Sequence, residues 1–202
     1  EVAGFCWTAK HAAAGVRVSA RGVRGAGPCR GTDVPCSRSG GAVRAPGRAE
    51  QLAPGHGRGR YHGVFARSDI GLSTPKVYAE CDRLRATRRV LPPAPSASMM
   101  TALRSGDAAA LGRALSNDLQ PAAFSLQPRL QEVLLTGMEY GALGGVVSGS
   151  GPTVAFLVSD TEHGLDLAVA LTASGTAPNV KRAVGPVAGA HVVTGPVRRR
   201  ST

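Results

Sequence analysis

The residues with most chemical promise are Gly149-Ser150-Gly151-Pro152-Thr153. Two glycines around one serine admit positive φ and remove side-chain bulk. Successive backbone N–H groups can then face one concavity and hold an anion or a substrate oxygen. The same residues also make an ordinary tight turn, and spacing alone does not separate the two readings. A second candidate is Asp33, in the island Gly31-Thr32-Asp33-Val34-Pro35 followed by Gly40-Gly41. A carboxylate in such a setting is either a solvated loop group or a general base that takes a proton from a hydroxyl during phosphoryl transfer. The third is Asn117-Asp118-Leu119-Gln120-Pro121, where Asn and Asp ahead of an apolar residue favour a cap or turn, and so a structural role. The four cysteines (Cys6, Cys29, Cys36, Cys81) form no C-x-x-C pair and the five histidines no H-x-x-x-H spacing, so no metal site is expected. Reduced thiols fit a cytoplasmic location.

Rigid elements must hold these groups, and recognisable ones begin near Gly63. Val64-Phe65-Ala66 reads as a short strand. Ser73-Thr74-Pro75 starts a helix, with a hydroxyl N-cap worth about 1 kcal/mol and proline at the first helical position. Val77, Cys81 and Leu84 follow at helical spacing and give it one apolar face. Pro92, Pro93 and Pro95 mark a linker. Met99 to Leu103 begins a second helix, and Asp107 caps a third that carries Leu111 and Leu115. Leu126, Leu130, Val133, Leu134 and Met138 form a fourth stripe, entered through Pro128. Gly144 to Val158 reads as two strands joined by the Gly-Ser-Gly-Pro turn, and the unbroken apolar run of the second predicts burial on both faces. Ser159 and Glu162 have capping-box spacing ahead of a helix through Leu165, Val169 and Leu171, with Gly175 ending it. Val180 to Val184 and Ala190 to Val193 are the last strands. Helices and strands without strict alternation predict an α+β fold with a mostly antiparallel sheet, compatible with a ferredoxin-like split βαβ layout.

The chain has 202 residues, 24 Lys plus Arg against 13 Asp plus Glu, and a net charge of +11. The excess is uneven. Residues 1–62 hold ten basic residues and three acidic ones, a net +7, and Arg198-Arg199-Arg200 adds three more. Residues 63–197 are nearly neutral. Three parts are therefore expected: an Arg/Gly-rich leader (1–62), a folded domain (63–197) and a basic tail (198–202). The leader has neither helical nor strand period and reads as loop. No aromatic residues interleave with its arginines for base stacking, so specific nucleic-acid recognition is not expected. No apolar run spans a bilayer and Glu1 to Lys10 is not a signal peptide, which gives no membrane partner.

Taken in order, Leu72-Ser73-Thr74-Pro75-x-Val77-Tyr78, Asn117-Asp118-Leu119-Gln120-Pro121 and Gly145-x-x-Ser148-Gly149-Ser150-Gly151-Pro152-Thr153 resemble the C-terminal half of the GHMP kinases, the superfamily of galactose, homoserine, mevalonate and phosphomevalonate kinases. The glycine loop is common to the superfamily. The other two islands favour its members that act on a cytidyl-diphosphate methylerythritol. The Arg- and Ala-rich style resembles high-GC actinobacterial sequences. The resemblance, good from Val64 to Val193, implies a small-molecule kinase: ATP, assisted by Mg²⁺, phosphorylates the 2-hydroxyl of that substrate in non-mevalonate isoprenoid synthesis. It implies Asp33 as the catalytic base, Gly149, Ser150, Gly151 and Thr153 as the loop near substrate and phosphate, and Ser73, Thr74, Pro75, Asn117 and Asp118 as structural motif residues. The chain departs from the pattern twice: upstream of Gly31 the early catalytic lysine and the long phosphate loop are absent, and after Pro35 Cys36-Ser37-Arg38 stands where apolar residues are usual. The expectation is thus a fragment, opening without Met, that binds no ATP by itself. Two rival readings are another GHMP kinase, such as a homoserine kinase, and a non-catalytic ferredoxin-like module whose basic leader binds polyanions.

Overall fold

The computed structural model describes residues 43–44, 53–54, 58–86 and 96–187. The Asp33 island, the proline linker, the strand expected at Ala190 to Val193 and the basic tail lie outside them. In the leader, Val43–Arg44 (β1) pairs antiparallel with Ala53–Pro54 (β2). This corrects the reading of residues 1–62 as loop throughout; a ladder of two residue pairs is too short to leave a periodic signal.

The folded domain is built on four antiparallel strands: β3 (Tyr61–Arg67), β4 (Gly144–Val147), β5 (Thr153–Val158) and β6 (Asn179–Gly185), in the order β4-β5-β3-β6. This is the ferredoxin-like split βαβ order. Each crossover returns its strand two places along the sheet, so every neighbour runs antiparallel. The first crossover, from β3 to β4, carries five helices: α1 (Thr74–Arg85), α2 (Ala97–Ser105), α3 (Ala108–Ala114), α4 (Gln120–Leu126) and α5 (Arg129–Glu139). The second carries only α6 (Thr161–Ala173).

The central strands β3 and β5 place alternate residues in two cores, as the two-residue period of a strand demands. On one face Val64, Ala66, Val154, Phe156 and Val158 pack with Leu130 and Val133 of α5 and Leu167 and Leu171 of α6. On the other, Tyr61 and Leu157 pack with Ala102, Leu103 and Leu111 of α2 and α3. A third cluster holds α1 to α4 through Val77, Cys81, Leu119 and Ala122. Backbones approach closely where α3 crosses the start of β4. A Cβ on Gly112 would collide with the Leu143 carbonyl, and one on Gly144 with the Gly112 carbonyl.

Four local expectations change. The stripe from Leu126 to Met138 is not one helix. It breaks at Gln127-Pro128, leaving Leu126 exposed at the end of α4 and Met138 exposed on α5, whose inner face is Leu130, Val133 and Gly137. The proline at residue 128 cannot extend the preceding helix, so two short helices replace one. Asp160 rather than Ser159 caps α6, its carboxylate accepting from the His163 N–H at 2.9 Å. Leu165 and Val169 face outward, because close approach of Gly164 to Val158 turns Gly164, Leu167 and Leu171 to the sheet. Finally, Ser73 takes the N-cap position of α1 but its hydroxyl makes no capping bond.

Candidate functional site

The β4–β5 loop folds on itself. The Ser148 N–H donates to Thr153 O at 2.8 Å and the Gly151 N–H to Ser148 O at 2.9 Å. Gly149 and Gly151 sit at φ +56° and +80°, the left-handed region in which glycine is unstrained. Space decides the matter at Gly151 as well, since a Cβ there would crowd Leu72, Leu130 and Val147. Among the described residues, nothing partners the N–H groups of Gly149 and Ser150. Two consecutive amide donors thus stand free of protein partners at the rim of a glycine turn, the kind of backbone from which an anion-binding concavity can be made.

The other two sequence islands come to this loop. The Thr74 and Ser150 hydroxyls lie 2.8 Å apart, joining the first turn of α1 to the loop across 76 residues. Asn117 donates its carboxamide N–H groups to Val147 O at 2.8 Å and Gly149 O at 2.7 Å, while its own oxygen accepts from the Leu119 N–H. Gln120 accepts from the Val147 N–H at 2.9 Å. β4 is a sheet edge, and these two carboxamides serve it as a neighbouring strand would. Below, the Ser68 N–H donates to Pro152 O, and the buried Gln127 donates to the Ser68 hydroxyl at 2.8 Å. The side-chain oxygen of Gln127, Oε1, is buried without a partner among the described residues.

Thus Gly149, Ser150, Gly151, Thr153, Ser73, Thr74, Pro75 and Asn117 converge. Asp118 does not: its carboxylate turns away to Arg85 at 3.1 Å, and its carbonyl takes the Cys81 thiol hydrogen. Asp33 lies outside the described residues. Gln120 lay in the third island without a role of its own, and the residues missed were Gln127 and Ser68. A glutamine beside a proline in each of Gln120-Pro121 and Gln127-Pro128 was the available signal, since buried glutamines must find partners.

Charge around the site is modest. Lys76 is exposed on the first turn of α1. Further along α1, Glu80 is held down to about 2, first by its hydrogen bonds from Arg83 and then by the Ser125 hydroxyl. Among the described residues no group of three or more His, Cys, Asp or Glu side chains could hold a metal ion. Nor is any helix among them long and apolar enough to cross a membrane.

A split βαβ sheet with a helix-rich first crossover and a glycine loop at the β4–β5 hairpin defines a class. Residues 99–177 match the family model for the GHMP kinase C-terminal region, and this part of the chain is a GHMP-kinase C-terminal domain. Its similarity is more particular than that. The chain is 50% identical over 171 residues to 4-diphosphocytidyl-2-C-methyl-D-erythritol kinase of Mycolicibacterium smegmatis, covering 82% of this chain and 52% of that protein. It is 49% identical over 163 residues to the enzyme of the same name from Streptomyces coelicolor, covering 81% and 54%. The chain therefore spans about half the length of the curated relatives it matches. A match over 82% of 202 residues does not fit within residues 58–202, so it extends upstream of Arg58. Among solved structures, a 4-(cytidine 5′-diphospho)-2C-methyl-D-erythritol kinase superposes with a TM-score of 0.57 at 24% identity, over 71% of this chain and 49% of that one. Homoserine kinase from Cytophaga hutchinsonii superposes at 0.56 with 19% identity, over 75% and 49%. These two establish the shared fold.

Proposed function

We propose that this chain is part of an ATP-dependent kinase that phosphorylates 4-diphosphocytidyl-2-C-methyl-D-erythritol on its 2-hydroxyl in the cytoplasm, contributing the C-terminal domain and the Asp33 segment. One observation carries the reading: three islands separated by up to 76 residues meet at one loop and leave two adjacent amide donors without a partner among the described residues. Half-identity to enzymes of that name favours this acceptor over homoserine, for which only the fold speaks. The extension of the match upstream of Arg58 supports counting the Asp33 segment as kinase sequence, although it departs from the family at Cys36-Ser37-Arg38.

In this reading the loop binds and orients. The Gly149 and Ser150 N–H groups hold a phosphate oxygen, where fixed amide dipoles need no reorganisation as charge develops. Tyr78 stands exposed one helical turn beyond Thr74, on the same face of α1, and offers an aromatic surface to a pyrimidine ring. Asp33 takes the proton of the attacking hydroxyl. ATP supplies the phosphoryl group; no described residue is assigned to Mg²⁺. The long phosphate loop that cradles ATP in the family is not among these 202 residues, so the chain alone is expected to bind ATP too weakly to measure.

Two titrations of the full chain test this. Calorimetry with ATP should show no binding, and micromolar affinity would refute the placement of the cradle outside the chain. In amide-resolved NMR, 4-diphosphocytidyl-2-C-methyl-D-erythritol should shift Gly149, Ser150 and Tyr78, while homoserine should not. Shifts with homoserine alone, or with neither compound, would refute the acceptor assignment.

A further inference from the structure

We infer that Asn117 is a positioning residue that aims the Ser150 N–H out of the protein, an inference that rests on the anion-holding role proposed for the loop. The 149–150 peptide is trans, so its carbonyl and its N–H point in opposite directions. Asn117 grips the carbonyl, Gly149 O, at 2.7 Å from the protein side. The Ser150 N–H must then face away from Asn117. The Gly151 N–H to Ser148 O bond closes the turn around this peptide, but among the described residues Asn117 is the one partner of its own two polar atoms: the Ser150 amide is unpaired, and the Ser150 hydroxyl goes to Thr74.

Packing does not hold it either. Nothing lies within 4 Å of where a Gly149 Cβ would be, so side chains crowd the turn at Gly151 but not at Gly149. The carboxamide itself cannot turn over freely, because its oxygen is fixed by the Leu119 N–H at 3.0 Å and its nitrogen also holds Val147 O. One side chain thereby links the end of β4 to the direction of a single amide in the loop. Gln120 grips β4 as well, but at the Val147 N–H, three peptide units before the 149–150 peptide. Asn117 thus acts through the peptide, and touches no ligand in this arrangement.

The test compares Asn117→Ala, Asn117→Asp and Gln120→Ala in the full, ¹⁵N-labelled chain. Residual dipolar couplings report the direction of the Ser150 N–H vector, and couplings from Val154 to Val158 report whether the sheet is intact. Both Asn117 variants should change the Ser150 coupling with β5 unchanged; Gln120→Ala should leave the Ser150 coupling as it is. With inorganic pyrophosphate as the probe, the Ser150 shift should need about tenfold more ligand in Asn117→Ala, the cost of one misdirected charge-assisted bond. An unchanged Ser150 coupling in both Asn117 variants overturns the inference, as does an equal change in Gln120→Ala. If the vector turns but pyrophosphate leaves the wild-type Ser150 amide unmoved, Asn117 keeps its positioning role and the anion-holding role of the loop is refuted.

Discussion

Replacing Gly112 by alanine sets two effects of opposite sign against each other. Helix propensity alone favours Ala over Gly by about 1 kcal/mol inside α3. Yet the added methyl would meet the carbonyl carbon and oxygen of Leu143 and the amide nitrogen of Gly144, all of them backbone. A flexible side-chain tip could move aside; a chain entering a paired strand cannot. Gly144 opposes Gly112 in the same contact and so offers no slack. Overpacking of this kind costs about 1–3 kcal/mol, and a backbone obstacle puts it at the upper end. The net expectation is a loss of about 2 kcal/mol. At about 2–4 °C per kcal/mol for a chain of this size, Tm should fall by roughly 4–8 °C. Thermal and urea unfolding of the full chain measure it. Gly71→Ala is the control: nothing lies within 4 Å of the new methyl, and its change should stay within about 1 kcal/mol. A rise in Tm for Gly112→Ala would show that propensity prevails and that the α3–β4 contact is looser than described.

Three further outcomes are expected. Glu80 is held down to about 2 from an ordinary 4.5, so its contribution to stability is complete above pH 4.5 and fades as the pH falls toward 2; Tm plotted against pH should fall less steeply in that window for Glu80→Gln, and parallel curves would contradict it. Thr74→Val and Ser150→Ala should show a coupling of about 0.5–1 kcal/mol in a double-mutant cycle of unfolding free energies, because each removes the same hydroxyl contact; strictly additive effects would mean the contact contributes nothing. Gln127→Met removes a bond to Ser68 together with a buried oxygen that has no partner among the described residues, two terms of about 1 kcal/mol or more that oppose each other. Urea unfolding should therefore show a change below about 1 kcal/mol, and a loss beyond 2 would point to a partner for that oxygen.

What the sequence revealed depended on distance along the chain. The β4–β5 hairpin, the Asp107 cap and the Gly175 terminus are local signals, and each appears where the residues place it. The α1 face of Val77 and Cys81 was equally plain. The work of Asn117 was not, because its partners Val147 and Gly149 lie 30 and 32 residues away, and a cap or turn was the nearest local explanation. It does make that turn, through Leu119. α4 escaped notice because its seven residues, with Pro121 in the first turn and Pro128 just past the end, leave too little periodicity, and the apolar stripe ran past the break. The outward turn of Leu165 and Val169 was hidden for another reason: glycine at position 164, not leucine, fixes which side of α6 meets the sheet.

The strand order has a consequence for how such a chain can be made. β3, the first strand of the sheet to leave the ribosome, finds β5 on one side only after some ninety residues, and on the other side Val64 opposite Arg182. Until Asn179–Gly185 arrives, β3 presents a row of unmet amides and carbonyls along an apolar strand, the kind of border that recruits foreign strands. A product ending short of Asn179 would retain all six described helices and yet leave that border of β3 open, so the sheet is closed on this side by the element made last among those described.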